Sequence, residues 1–323
     1  MTLYNQGNVP GIWQGVNDLS INKKTVLKKW LGLWILTILI LASGCTSKKH
    51  QRTIGLVLPN LHNPFFSRLQ QGAENTADKA GYQLITLDAD NDPAKAVNLV
   101  HKLVAQGVKL IIINPIDPAI IAKAIRYADR HSIKIITLDR RLNRQHVLTQ
   151  ITSNNFKGAE IAANYLKEKL QGQGNIIELQ GNLTSSVTKA RTAGFNAGIQ
   201  NTDIRVVARK SAYFSQKKAF ILTSKLLRQH PNIVAVFAQN DEMALGAVKA
   251  LANVGKHKVL VIGFDGIPKA IEAVRLGKMS ATIAQQPYLM GQLAVENAIK
   301  TMTGEPVDKA ITVPFRLVTK FNI

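Results

Sequence analysis

Asp139 and Arg140 stand side by side where an apolar run, Ile133–Leu138, gives out. A carboxylate accepts hydrogen bonds and a guanidinium donates a planar fork of them, so the pair suits two vicinal hydroxyls. Solvated charges at a strand end would look the same. A second acid, Asp265 in Gly263-Phe264-Asp265-Gly266, holds a similar place, and an Asx-type turn explains it equally well. Asn114, Asn240 and Gln285 each close an apolar run and offer both donor and acceptor, as turn-forming amides also do. Arg191 falls in a helical stretch, where a solvated face is the default. Phe214, in Tyr213-Phe214-Ser215, has a place in the core as its default.

Asn63-Pro64-Phe65-Phe66 adds an aromatic element. Asn at the cap and Pro at the first helical position account for a helix start. They do not account for two adjacent phenylalanines, because neighbours on a helix point about 100° apart and cannot easily share one core. Two aromatic walls would suit a sugar, whose C–H face is apolar while its hydroxyls point outward.

Catalytic constellations are missing from the sequence. There is no Gly-x-Gly-x-x-Gly after the first apolar run, no Walker loop, no Gly-x-Ser-x-Gly elbow and no His-Glu-x-x-His. The seven histidines are scattered without ligand spacing, and no carboxylate pair reads as acid and base. Neither an enzyme nor a metal or other cofactor is expected.

These residues need elements to hold them. From Thr53 onward, short apolar runs alternate with longer amphipathic ones. Ile54–Leu58, Leu84–Leu87, Leu110–Ile113 and Ile133–Leu138 read as strands, and Phe65–Ala80, Ala94–Ala105 and Ala119–His131 as helices. The alternation then restarts, with strands at Ile176–Leu179, Ile204–Ala208, Val234–Phe237 and Val259–Ile262. Unbroken apolar runs suit parallel strands covered on both faces, and the alternation implies βαβ units. Asn114 and Asp139 are 25 residues apart, and so are Asn240 and Asp265, which favours two similar doubly wound α/β lobes. Ligands of such sheets bind beyond the carboxyl ends of the strands, so the site is expected in a cleft between the lobes.

The N-terminal region has a different composition. Lys23, Lys24, Lys28 and Lys29 precede an apolar stretch, Trp30–Ala42, and then Ser43-Gly44-Cys45. That order is a secretory signal, and 13 residues fall short of the roughly 20 needed to span a bilayer. Leu41-Ala42-Ser43-Gly44-Cys45 resembles a bacterial lipobox, which implies lipidation at Cys45 and a membrane anchor. Lys48, Lys49 and Arg52 in the tether would add attraction to anionic lipid. The formal net charge is +21, yet no basic run is interleaved with aromatics and no DNA-binding headpiece spacing occurs, so no nucleic acid partner is expected.

Residues 53–322 resemble a periplasmic ribose-binding protein of the type I sugar-binding family. The likeness rests on His62-Asn63-Pro64-Phe65-Phe66, Ile113-Asn114-Pro115, Thr137-Leu138-Asp139-Arg140, Ile177-Glu178-Leu179-Gln180-Gly181, Phe237-Ala238-Gln239-Asn240-Asp241-Glu242-Met243-Ala244-Leu245-Gly246, Val261-Ile262-Gly263-Phe264-Asp265-Gly266 and Ala281-Thr282-Ile283-Ala284-Gln285. The resemblance implies two lobes joined by a three-segment hinge: residues 53–152 with 286–314, and 153–285 with 315–323, after a signal (1–45) and tether (46–52). It implies stacking by Phe65, Phe66 and Phe214, and hydrogen bonding by Asn63, Asn114, Asp139, Arg140, Arg191, Asn240, Asp265 and Gln285. Departures fall at His62, where the family has asparagine, and at Lys189, where it has arginine; neither is a direct contact in the family. The implied partners are ribose, an ABC permease and, as a further option, a chemoreceptor. A monomer is expected, lipid-anchored in the periplasm or on the outer face of the cytoplasmic membrane. Another pentose, allose or a furanose signal is the alternative ligand.

Overall fold

The computed structural model describes residues 52–142 and 147–323. The signal segment, Cys45 and all of the tether but Arg52 lie outside the described residues. The first run of elements is β1 (Thr53–Leu58), α1 (Pro64–Lys79), β2 (Gln83–Asp88), α2 (Pro93–Ala105), β3 (Leu110–Ile113), α3 (Pro118–Arg130), β4 (Lys134–Leu138) and β5 (Thr149–Ser153). Next come α4 (Asn155–Lys169), β6 (Gln173–Gln180), α5 (Ser186–Gly198), β7 (Asp203–Ser211), α6 (Gln216–Gln229), β8 (Ile233–Ala238), α7 (Asp241–Ala252), β9 (Leu260–Asp265), α8 (Pro268–Arg275) and β10 (Ala281–Ala284). The chain ends with α9 (Pro287–Thr303), β11 (Ala310–Val313) and β12 (Arg316–Val318).

Two six-stranded sheets result, in the orders β11-β5-β4-β3-β1-β2 and β12-β10-β9-β8-β6-β7. The orders correspond strand for strand, so β3 and β4 in one sheet match β8 and β9 in the other. Asn114 and Asp139 therefore end strands equivalent to those ended by Asn240 and Asp265, the physical content of the shared 25-residue spacing. The chain passes between the sheets three times: from β5 to α4, from β10 to α9 and from β11 to β12.

Sequence dictates the elements locally. Strands β1 and β3 are buried along their whole length, as their unbroken apolar runs require. Helices α1, α2 and α3 each begin with Pro after Asn63, Asp92 or Asp117, whose side chains accept backbone N–H groups of the first turn. Elements β5, β11 and β12, with α8 and α9, are not legible as apolar or amphipathic runs, and β10 shows only as the short run that Gln285 closes. Strand β5, Thr-Gln-Ile-Thr-Ser, is buried throughout although four of its five residues are polar. Hydrogen bonds make that possible: Gln150 donates to the Leu142 carbonyl at 3.1 Å and Thr152 to the Asp139 carbonyl at 2.8 Å. Strand β12 pairs antiparallel with β10, an exception to the parallel pattern.

Helix α9 returns to pack on α1. The two backbones meet through glycines: a Cβ on Gly72 would sit 2.0 Å from the Tyr288 carbonyl oxygen, and one on Gly291 would sit 2.0 Å from that of Leu69. Gly291→Ala must push the helices apart, so it should destabilise the protein by about 1–3 kcal/mol in urea unfolding. An unchanged unfolding midpoint would contradict the contact.

Candidate functional site

The carboxyl ends of both sheets open into one cavity of about 380 Å³. That is within the usual size of a small-molecule pocket, roughly 300–1,000 Å³. Asn63, Phe65, Phe66, Asp139 and Arg140 line it from the β1–β4 side, and Arg191, Phe214, Asn240 and Asp265 from the β6–β9 side. Asn114 and Gln285 stand behind this surface, each bonded to one of the acids.

The aromatic walls follow from the start of α1. Asn63 Oδ1 accepts the Phe65 N–H at 2.9 Å, so Phe65 and Phe66 fall in the first turn with both rings buried. Their centroids are 5.2 Å apart at 85°, an edge-to-face pair. The difficulty of placing both rings in one core is resolved because both line the cavity. Phe214 faces them from the other side in a left-handed conformation, φ 61°. The Arg140 guanidinium lies 5.9 Å from the Phe66 centroid and 5.4 Å from that of Phe214, bridging the two sides.

The polar groups form a buried charge cluster. Asp139 is left-handed at φ 63° and accepts Asn114 Nδ2 at 3.1 Å on Oδ2. Arg140 Nε is 3.9 Å from that same oxygen, and Nη1 donates to the Pro115 carbonyl at 3.4 Å. Arg191, read from sequence as a solvated residue by default, is 2% exposed. Its Nε donates to Asn155 Oδ1 at 2.9 Å, its Nη1 donates to the Gln239 carbonyl, and its guanidinium stacks 3.6 Å from the Phe264 centroid. Nη1 also approaches Asp265 to 3.7 Å, while Gln285 donates to Asp265 Oδ1 at 2.9 Å.

Burial penalises every charge in this group. It pulls Arg140 and Arg191 below the ordinary guanidinium value, against the opposing pull of Asp139 and Asp265. Burial likewise lifts Asp265 well above the carboxylate range; Arg191 counters it, while Asp241 and Asp139 add to the rise. Asp241, adjacent in space, is pushed up to about 7 by burial, against hydrogen bonds from Thr282, Ile267 and Gly266 and the charge of Arg191.

Several polar atoms here have no hydrogen-bond partner in the protein. Asn114 Oδ1, Asp139 Oδ1, Arg140 Nε and Gln285 Oε1 are all buried and unbonded. Each is an unmet donor or acceptor, which is costly unless something else meets it. The arrangement presents fixed donors and acceptors between aromatic faces, with two guanidiniums set against two carboxylates. That chemistry suits a neutral polyhydroxylated ring better than an ion. No group of three or more His, Cys, Asp or Glu able to hold a metal occurs among the described residues.

Sequence reasoning overlooked the groups that hold Arg191. Gln239 is buried and bonded to Glu178, Thr192 and Gly181, and Asn155 opens α4; neither carries a local sign of its distant partner. His62, given no direct contact by the resemblance, lies on the cavity lining.

Comparison with known proteins gives the family. A family model described as periplasmic binding protein domain matches residues 54–306. The ribose import binding protein of Escherichia coli K12 is 40% identical over 292 residues, covering 90% of this chain and 99% of that protein. Its counterpart from Bacillus subtilis 168 is 41% identical over 275 residues, covering 85% and 90%. Among solved structures, an ABC transporter solute-binding protein from Actinobacillus succinogenes 130z with bound D-allose is 34% identical with a TM-score of 0.78, covering 84% of this chain and 98% of that one.

The raised acids give a pH dependence of definite sign. Folding raises the pKa of Asp241 and Asp265, so the native state holds their protons to higher pH than the unfolded chain does. Between the unfolded carboxylate value, roughly 4, and about 7 for Asp241, their contribution to stability falls as pH rises, then levels off. The urea midpoint of the ligand-free protein should therefore drop more between about pH 5 and 7.5 than that of Asp241→Asn. Equal drops would show that Asp241 is not raised.

Proposed function

The chain belongs to the periplasmic binding protein family, a family of non-enzymatic solute-binding proteins, and from that premise we propose that it captures D-ribose for an ABC importer. One observation carries the reading: buried, unbonded polar atoms of Asp139 and Arg140 line a cavity walled by three phenylalanines, with those of Asn114 and Gln285 directly behind, each on an amide bonded to an acid of the lining. A pentose brings hydroxyls that donate and accept, and an apolar ring face for Phe65, Phe66 and Phe214. The two ribose import relatives support ribose as the sugar.

Contacts between the two sides of the cavity explain how occupancy could be signalled. The Arg141 N–H, beyond β4, donates to Ser186 Oγ at the start of α5 at 2.9 Å. Asp117, before α3, feels the charge of Lys189 from the opposite side. Burial works to raise this carboxyl, but bonds from Ile120 and Ala119, with Lys189, hold it below its ordinary value. A sugar that bonds to both sides favours the arrangement in which these contacts form, and a permease can read that arrangement as loaded.

D-Allose is the second reading, favoured by the allose-bound relative at 34% identity. The folded part would work as a monomer outside the cytoplasm, tethered through lipid on Cys45, with a chemoreceptor as a further partner of the same closed form.

Calorimetry with ribose, allose, arabinose, xylose and galactose should give ribose the tightest binding. Tighter allose would transfer the assignment. Asp139→Ala or Arg140→Ala should each weaken ribose binding by roughly 1.5–3 kcal/mol or more, since each leaves a charged partner unmet. Wild-type affinity in both would remove the cavity from the account. Cys45→Ala should move the protein from the membrane fraction to the soluble extracytoplasmic fraction; an unchanged distribution would eliminate the lipid anchor.

A further inference from the structure

We propose that Asp241, which does not line the cavity, is the positioning residue for Asp265. It is the first residue of α7 and is 0% exposed. It does not cap its own helix; Asn240 does that, accepting the Met243 N–H at 3.0 Å. The Asp241 carboxylate instead reaches across to the end of β9. Its Oδ2 accepts the N–H groups of Gly266 at 2.7 Å and Ile267 at 2.9 Å, and its Oδ1 accepts the Thr282 hydroxyl of β10 at 2.7 Å.

The segment it grips needs holding. Asp265 has φ 124° and Gly266 φ 76°, and the first of these is a region that a residue with a side chain rarely adopts. Such a conformation persists only where surrounding bonds over-determine it. Helix α8 follows at once, and its cap, Ile267, has no side-chain hydrogen bond of its own. The Asp241 carboxylate therefore supplies a buried acceptor for two backbone donors that otherwise have none nearby. Strand β9 is shaped around it: a Cβ on Gly263 would lie 2.1 Å from Asp241 Oδ1. Through this grip Asp265 is presented to Arg191 and Gln285, and so to the cavity.

The inference rests on the sugar-binding reading only for its affinity readout. The test uses the soluble form and a cycle of Asp241→Ala, Asp265→Ala and the double variant, with Asp241→Asn as the conservative replacement. Affinity is measured for ribose, melting temperature alongside, and the carboxyl carbon shift of Asp265 by NMR. Asp241→Ala should weaken ribose binding on the order of 10- to 100-fold, and Asp241→Asn, which keeps the acceptors for both N–H groups, far less. In the Asp265→Ala background the loss should vanish, although the loss of melting temperature persists. Full additivity in affinity, or unchanged binding by Asp241→Ala, would overturn the proposal. Should the parent bind no ribose, the sugar reading fails by itself, and the Asp265 shift decides: movement in Asp241→Ala supports positioning, and an unmoved shift overturns it. If Asp241→Ala does not fold, Thr282→Val, which frees one oxygen of the carboxylate, is read in the same cycle. A several-fold loss that disappears with Asp265→Ala is then expected, and an additive one is fatal.

Discussion

Asp139, Arg140, Arg191 and Asp265 are each less than a tenth exposed, and they lie within reach of one another at the meeting of two sheets. Taking an ion out of water costs several kcal/mol, so each of the four must be surrounded by groups that replace its hydration. Much of the molecule can be read as the answer to that demand. Asn114 and Gln285 each serve one acid; Asn155, the Gln239 carbonyl and the Phe264 ring serve Arg191; the Pro115 carbonyl and two phenylalanine rings serve Arg140. The compensation is partial where the cavity opens, and that remainder is what a polyol can supply.

The aromatic rings and the charges do different work. Charged hydrogen-bonding groups discriminate, because a ligand lacking one hydroxyl strands a buried partner. The rings exclude water and so strengthen each polar contact beside them. Phe65 and Phe66 enter from one side and Phe214 from the other, so the ring of a bound sugar would be covered on both faces only when the sides are together. Selectivity and closure thus draw on the same residues.

How much of this was legible in the sequence depended on the range of each interaction. Apolar runs gave most strands, and the repeated 25-residue interval from Asn114 to Asp139 and from Asn240 to Asp265 marked equivalent strands of two alike sheets. Strand β5 escaped because it is buried with a polar sequence, Gln150 and Thr152 bonding to Leu142 and Asp139 carbonyls beyond the strand, which hydrophobicity does not register. Arg191 and Phe214 could be picked out only through the family resemblance; spacing alone placed one on a solvated face and the other in a core. The true setting of Arg191 arises from residues 36 or more positions away, Asn155, Gln239 and Asp265, and no local pattern encodes those meetings.

The sheet that begins the chain is finished by its end. Strand β11 pairs with β5, and α9 is locked to α1 through the two close glycine contacts, although more than 130 residues intervene between β5 and α9. During vectorial synthesis residues 53–153 emerge without the helix and edge strand that complete their layer. That layer is complete only when nearly the last residue has been made, whereas β6 through β10, contiguous in sequence, can pair as they appear. A leading layer completed so late suits a polypeptide that must be threaded through a narrow conduit before it folds.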